Sequence, residues 1–451
     1  MRLGAAGRGS GLRPAAVVVA ATLLVTGCEF LPDWVGSAEQ PPLPGERVSI
    51  LSLERSLEPD PGIADLEVRL PKPYANKNWP QPGGVASHAM HHLKAGASLR
   101  QVWKVSAGAG AGDNGRITAT PVVADGRIFV LDTRTRLAAF DAGSGRELWR
   151  VDLTPKDEDE GGFGGGITYA RGRVYAATGF GDVVAVDART GDEQWRRRIG
   201  IPMRAGPTVA GERLFVISYD NQLHALSVAT GEVLWTHVGI SENAGLLGAA
   251  SPAVEGGIVV AAYSSGEIYA LRADNGRIAW SDSLTRVRRV TALSVLSDIV
   301  GQPVIDRGQV IAISHSGTMA AIDMRTGTRI WDQDIGGLQT PWVAGNFIFV
   351  VTTDAEVVAL SRRDGRIRWV RALERFKNPD ERKEPINWSG PVLAGDRLVL
   401  VSSNGKAVAV SPYTGDVLGS MKLPGGVSVP PIVADGTVYL LTDAGKLLAL
   451  R

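Results

Sequence analysis

The sequence predicts an all-β fold, an eight-bladed β-propeller of four-stranded antiparallel blades, with the ring closed by an N-terminal strand near Trp103. Three observations predict it. A unit of about 45 residues recurs along the chain. Each unit reads as four short apolar runs set apart by turn residues. The last unit lacks its fourth run, and a spare run of the right kind stands upstream of the first.

The repeat is plain when its second half is aligned. "RLAAFDAGSGRELWRV" begins at Arg136, "DVVAVDARTGDEQWRR" at Asp182, "QLHALSVATGEVLWTH" at Gln222 and "EIYALRADNGRIAWSD" at Glu267. "TMAAIDMRTGTRIWDQ" begins at Thr318, "EVVALSRRDGRIRWVR" at Glu356 and "KAVAVSPYTGDVLGSM" at Lys406. The aligned tryptophans are Trp149, Trp195, Trp235, Trp280, Trp331 and Trp369, and Gly419 takes the seventh slot. Their spacings are 46, 40, 45, 51, 38 and 50 residues. Ahead of each such half lie two more runs, such as "TPVVADG" and "RIFVLDT". Four antiparallel strands per unit make a propeller blade, and a lone blade cannot bury both faces, so the blades must stack.

One glycine keeps a fixed offset before the tryptophan slot: Gly145, Gly191, Gly231, Gly276, Gly327, Gly365 and Gly415. A tight hairpin needs positive φ there, which glycine supplies without a Cβ penalty. The tryptophans are read as wedges between blades. An indole buries ~150–250 Å², a gross stabilisation of ~4–6 kcal/mol as an upper bound.

Ring closure follows from the chain ends. The eighth unit, "PPIVADGTVYLLTDAGKLLALR", holds three strands and ends at Arg451. "SLRQVWKV", residues 98–105, carries Trp103, which precedes Trp149 by one repeat of 46 residues. This strand is expected to complete the last blade, with Trp103 as a further wedge.

Residues 1–27 read as a signal peptide. Arg2, Arg8 and Arg13 precede an uncharged run from Ala15 to Val25. That run is shorter than the roughly 20 residues of a membrane span and matches a secretory h-region. "VTGC", residues 25–28, then places the only cysteine of the chain after small residues, and it resembles the bacterial lipobox. That resemblance implies acylation of Cys28, with palmitate among its chains. In the lipoprotein family an Asp after the cysteine favours the inner membrane; here the residue is Glu29, which points to the outer membrane, periplasmic face. With Cys28 acylated no thiol remains for disulfides, so the core alone must hold the fold. Residues 28–75, rich in Pro, Glu and Ser, read as an extended tether, and 76–451 as the propeller.

The net charge of +1 lacks the basic excess of a nucleic-acid binder. With 44% hydrophobic and 21% charged residues, the chain suits a large folded core.

The pattern D-x-x-T-G-x-x-x-W, at Asp187–Trp195 and Asp323–Trp331, resembles the PQQ-like repeat. Two functional classes carry that repeat. Quinoprotein dehydrogenases hold PQQ and Ca²⁺ in the central funnel with carboxylates, Asn and often a vicinal disulfide. This chain has no Cys-Cys pair, and Asp132, Asp220, Asp306, Asp354 and Asp443 are scattered where turns want Asp. The second class is the outer-membrane assembly factor BamB family. The resemblance to it covers nearly the whole chain, including the lipobox, the eight units and "NWPQPGG" at 78–84. It implies no catalysis and no cofactor. It implies a scaffold that binds the POTRA domains of BamA and other barrel-assembly components and aids folding and insertion of unfolded outer-membrane β-barrel proteins. A PQQ-dependent periplasmic oxidoreductase is the alternative.

Two links between blades stand out as apolar. "VGISENAGLLGAASPAV" follows Trp235, and "TRVRRVTALSVLSDIVGQPVI" follows Trp280. Apolar links mark either an interaction patch or local packing. The family resemblance implies that these links contact BamA, with Leu246, Leu247, Ser297 and Asp298 as candidate partner contacts. Ala244, Leu247 and Val300 occupy contact positions but differ in type from the family. Asp298 is expected to act from the surface. No metal site is expected: His88, His91 and His92 could ligate zinc only with a third ligand, and they read as polar side chains on the surface of the closing segment. "GFGGG" at 162–166 lacks the Lys-Ser/Thr of a phosphate loop. The charged stretches 156–162 and 374–385 read as solvated loops.

Overall fold

Every predicted blade forms. The computed structural model describes residues 57–112, 115–158, 164–242, 246, 248–285 and 298–451. Cys28, the signal peptide and most of the tether lie outside them. Within Leu57–Arg451 the described residues form eight four-stranded antiparallel sheets. Blade 1 runs Val122–Ala124, Arg127–Leu131, Arg136–Asp141 and Glu147–Asp152, from the channel outward. Blades 2 to 7 repeat this order up to Val417–Lys422. Blade 8 takes Ile432–Ala434, Thr437–Leu441 and Lys446–Leu450 from the end of the chain. Its outer strand is Gln101–Ser106, with Trp103 opposite Ala449.

The core lies between blades. The second and third strands are buried on both faces, as in Phe129 and Val130, while outer strands are largely exposed or half-buried. Outer edges carry charge, as in "EQWRRR" at 193–198, which suppresses strand addition.

The tryptophans are the wedges expected, and the structure adds their seat. Each indole lies under the hairpin glycine of the next blade. A Cβ on Gly231 would sit 2.5 Å from Trp195, and one on Gly415 would sit 2.7 Å from Trp369. The glycine is therefore required twice, by φ near +71° at Gly231 and by the ring beneath it. The indole nitrogen also donates across the seam: Trp149 to Ala188 O at 3.1 Å, Trp235 to Ala273 O at 3.1 Å and Trp331 to Arg362 O at 2.9 Å. Trp103 closes the ring in the same way, under Gly145 of blade 1.

The exception explains itself. The tryptophan slot of blade 7 holds Gly419. The next blade has no hairpin between its third and fourth strands, because its fourth strand is the upstream Gln101–Ser106. An indole at 419 would have no glycine to underlie. The vacancy is a cavity of about 420 Å³ lined by Leu99, Val399, Leu418 and Met421.

Three expectations change. Residues 57–75, assigned to the tether, pack on the propeller from Leu57 onward. Ile63 and Val68 are buried, and Asp60 N donates to Ile367 O at 2.8 Å. The charged stretch 374–385 holds a small hairpin, Phe376–Asn378 with Lys383–Pro385, tied by Lys377–Glu384 at 2.7 Å. His88 and His92 are not exposed polar residues. Both are buried, because the segment carrying them passes beneath the blades, and their Nδ1 atoms contact the carbonyls of Pro303 (2.7 Å) and Pro71 (2.8 Å).

Burial pushes the His88 imidazole from its ordinary 6.5 down to about 4. The unfolded chain binds this proton below pH 6.5 and the folded chain only near pH 4. Between the two the unfolded state carries more protons, so stability falls as pH falls. His224, His237 and His315 are lowered by burial too and act with the same sign. Urea unfolding between pH 6.5 and 4.5 is expected to show stability falling with pH, His88 contributing on the order of 1 kcal/mol per pH unit. The loss should be shallower in His88→Asn, which tolerates the φ of 62° at this position. An unchanged slope in that variant would remove His88 as the source.

Candidate functional site

The links from each outer strand to the next inner strand gather at one end of the propeller, around a central cavity of about 660 Å³. Ile117, Arg204, Leu246, Val300, Gln339 and Ser428 are among its lining residues. Most wall polar groups latch one blade to the next. Ser251 Oγ donates to Gly206 O at 2.8 Å, Ser389 Oγ to Ser428 O at 2.9 Å, and Gln302 N to Thr340 Oγ1 at 3.2 Å.

The two links singled out by sequence meet here. Leu246 is half-buried, and its N–H donates to Asp298 Oδ2 at 3.1 Å. Its carbonyl accepts from the Arg204 guanidinium. Arg204 and Asp298 face each other at 3.7 Å, with side chains 6% and 3% exposed. The backbone of Leu246 is thus pinned at both ends by a buried ion pair. Burial pushes the Asp298 carboxyl up, while the Leu246 N–H and the Arg204 charge pull it down. Burial also lowers Arg204. Its guanidinium stacks 4.7 Å from the ring of Tyr219, which is half-exposed.

Asp298 is therefore not a surface contact. Its carboxylate is spent inside the molecule, and the surface it supports is made by others. Val300 is half-buried and lines the cavity with Leu246, and Ile240 is exposed where the first link leaves blade 3. Leu247 and Ser297 lie outside the described residues. Arg204 was not singled out from the sequence. Its signal was present: "GIPMRAGP" at 200–207 is a link with one charge among apolar and small residues.

Charged groups at and around this cavity are largely engaged by the protein itself. Among the described residues no three His, Cys, Asp or Glu side chains cluster as metal ligands. Of the arginines lining it, Arg204 is already committed to Asp298 and Leu246 O. The aspartates scattered in sequence are held by nearby groups of the protein, and Asp306 of blade 5 pairs with Arg362 of blade 6. Asp132 accepts from Arg134 N (2.9 Å) and Arg136 N (3.0 Å), Asp443 from Ser428, and Asp354 pairs with Arg375 at 2.6 Å. In the repeat turns, hydrogen bonds from Thr190 and Thr326 hold Asp187 and Asp323 below the usual carboxylate range.

Comparison with known proteins places this geometry. The family described as "Outer membrane protein assembly factor BamB" matches residues 95–156, 133–371 and 375–451. The assembly factor BamB of Moranella endobia is 23% identical over 244 residues, 54% of this chain and 61% of that protein. That of Shewanella oneidensis is 27% identical over 242 residues, 53% and 59%. That of Escherichia coli is 26% identical over 291 residues, 55% and 71%. The matched part thus spans about three-fifths of the first of these relatives. Among solved structures, BamB from Moraxella catarrhalis superposes with a TM-score of 0.65 at 20% identity, over 78% of this chain and 99% of that one. A europium-containing methanol dehydrogenase superposes with the same score of 0.65 at 15% identity, over 83% and 98%. The two structures share the fold and differ in what their names say they do.

Proposed function

The chain belongs to the outer membrane protein assembly factor BamB family, and from that premise we propose that it is a non-enzymatic, lipid-anchored scaffold of the β-barrel assembly machine. It binds the POTRA domains of BamA through the link end of the propeller and aids insertion of unfolded outer-membrane β-barrel proteins. Cys28 carries the anchor and holds the propeller at the periplasmic face of the outer membrane.

One observation carries the reading. The Arg204–Asp298 pair is buried and spends both charges on the backbone of Leu246. Such a pair adds little net stability compared with apolar side chains of the same volume. What it supplies is position, and the residue it positions lines the cavity, as Val300 does. An apolar side chain held by rigid supports is the usual form of an interface anchor.

Isolation of the tagged full chain from detergent-solubilised membranes tests this. BamA should copurify with the wild type, and Leu246→Asp should lower recovery at least tenfold with thermal stability kept. Undiminished recovery would move the site off this patch. In the same fractionation Cys28→Ser should shift from the membrane to the soluble fraction or retain its leader. A variant that still takes up radioactive palmitate would refute the anchor.

A further inference from the structure

The segment between the tether and the closing strand does something that its sequence does not announce. Each inner strand has one edge paired within its blade and one edge turned to the channel. Eight such edges would present bare N–H and C=O groups, a template for any extended chain. Residues 76–93 cover them in turn. Asn76 O accepts from Asp435 N of blade 8 at 2.7 Å. Trp79 exchanges both backbone bonds with Val123 of blade 1, at 2.7 and 2.8 Å. Pro80 O accepts from Tyr169 N of blade 2 at 2.6 Å, and Gln81 Oε1 from Val209 N of blade 3 at 3.0 Å. Ala86 O accepts from Val254 N of blade 4 at 2.7 Å, and Ser87 O from Ile305 N of blade 5 at 2.8 Å. His91 O accepts from the Trp342 indole of blade 6 at 2.7 Å. Leu93 O accepts from Gly395 N of blade 7 at 2.8 Å. The chain visits all eight blades in ring order, in one circuit.

The circuit runs at the end where the first and second strands of each blade turn. Asp125, in the first turn of blade 1, donates its N–H to Asn78 Oδ1 at 3.2 Å, and Asp396, in that of blade 7, donates to His92 Nε2 at 3.2 Å. The central cavity lies on the other side, among the links, and Pro82 is the residue of the circuit that lines it. Side chains lock the circuit in place. Trp79, Met90 and Leu93 are buried, and Trp79 stacks on Trp342 with centroids 6.3 Å apart. Gly83 has φ of +67°, and a Cβ there would lie 2.5 Å from the His88 ring.

We propose that residues 76–93 are a strap that shuts the turn end of the channel and opens as one cooperative unit. Closed, it makes the cavity a socket entered from the link end alone and caps the inner edges against added strands. Open, it bares all of them together. The proposal does not depend on what binds at the link end.

Native-state hydrogen exchange on the full wild-type chain, at rising subdenaturing urea, tests it. The amides of Val123, Tyr169, Val209, Val254, Ile305, Gly395 and Asp435 come from seven different blades. They should share one opening free energy and one urea dependence, both smaller than those of amides joining the second and third strands. Gly83→Val should raise exchange at all seven by at least tenfold and leave the second-to-third-strand amides unchanged. Trp79→Ala, which inserts no bulk, should do the same. The strap is refuted if the seven amides open blade by blade, if they exchange only with global unfolding, or if only the neighbours of the substituted residue respond.

Discussion

Deletion of residues 98–106 is expected to abolish cooperative unfolding of the propeller and to drive the chain to aggregate. The strand Gln101–Ser106 is the whole outer layer of blade 8, paired with Lys446–Leu450. The deletion also removes Trp103, which underlies Gly145 of blade 1 and packs on Tyr439 with centroids 5.9 Å apart. Arg100 and Arg451, which exchange both backbone hydrogen bonds at 2.9 Å, come apart as well. Losing one large core side chain costs about 3–5 kcal/mol. Here that loss is joined by a full ladder of strand bonds and by an exposed apolar edge, "KLLAL". Total stabilities of folded domains are about 5–15 kcal/mol, so little margin is left. Thermal melting and size-exclusion chromatography would show it. A deletion of similar length in the exposed hairpin, residues 377–384, serves as the control and should shift the melt by far less. A wild-type melt for the 98–106 deletion would mean that the ring is closed by something else.

The next largest effect is expected from Asp298→Ala. It leaves the Arg204 guanidinium buried without its carboxylate, a loss of about 3–5 kcal/mol. It also frees the N–H of Leu246, so binding to isolated POTRA domains should fall together with stability. Asp298→Leu combined with Arg204→Met should recover much of the stability, because neither charge is then stranded. Binding should stay weak in that double variant, since nothing pins Leu246. Calorimetric melts and titration against the POTRA domains separate the two quantities. Full binding in the double variant would show that the pair does not position the loop. An unchanged melt in Asp298→Ala would show that the pair is solvated.

The fold was legible because its signals are local and repeated. A glycine at one offset, a tryptophan after it and alternating apolar runs are each set by the geometry of a single hairpin, and they recur often enough to be counted. Ring closure was legible too, since a missing strand at one end matched a spare strand at the other. The candidate site was legible only as two apolar links. That Asp298 is buried follows from Arg204, which sits in a different link 94 residues upstream, and no local pattern joins them. The strap was missed for a related reason. Its bonds to the blades run through backbone carbonyls of Asn76, Pro80, Ala86 and Ser87, which carry no side-chain signature. "NWPQPGG" shows its role only when the carbonyls of Trp79 and Pro80 are matched with their donors in blades 1 and 2. The histidines went astray with it, because a segment taken as surface was in fact floor.

The empty slot at Gly419 has one more consequence. A closed ring of equivalent blades has no first member, and ribosomal synthesis must nonetheless cut it somewhere. Here the cut falls between the third and fourth strands of blade 8, and the missing indole marks it one blade earlier. The irregularity is thus a property of how blade 8 is assembled, with its outer strand drawn from far upstream of the other three, not of blade 7 itself. In a circularly permuted chain, with the old ends joined by a hairpin containing glycine, position 419 would regain a seat for tryptophan. The blade ahead of the new cut would then hold an indole with nothing above it.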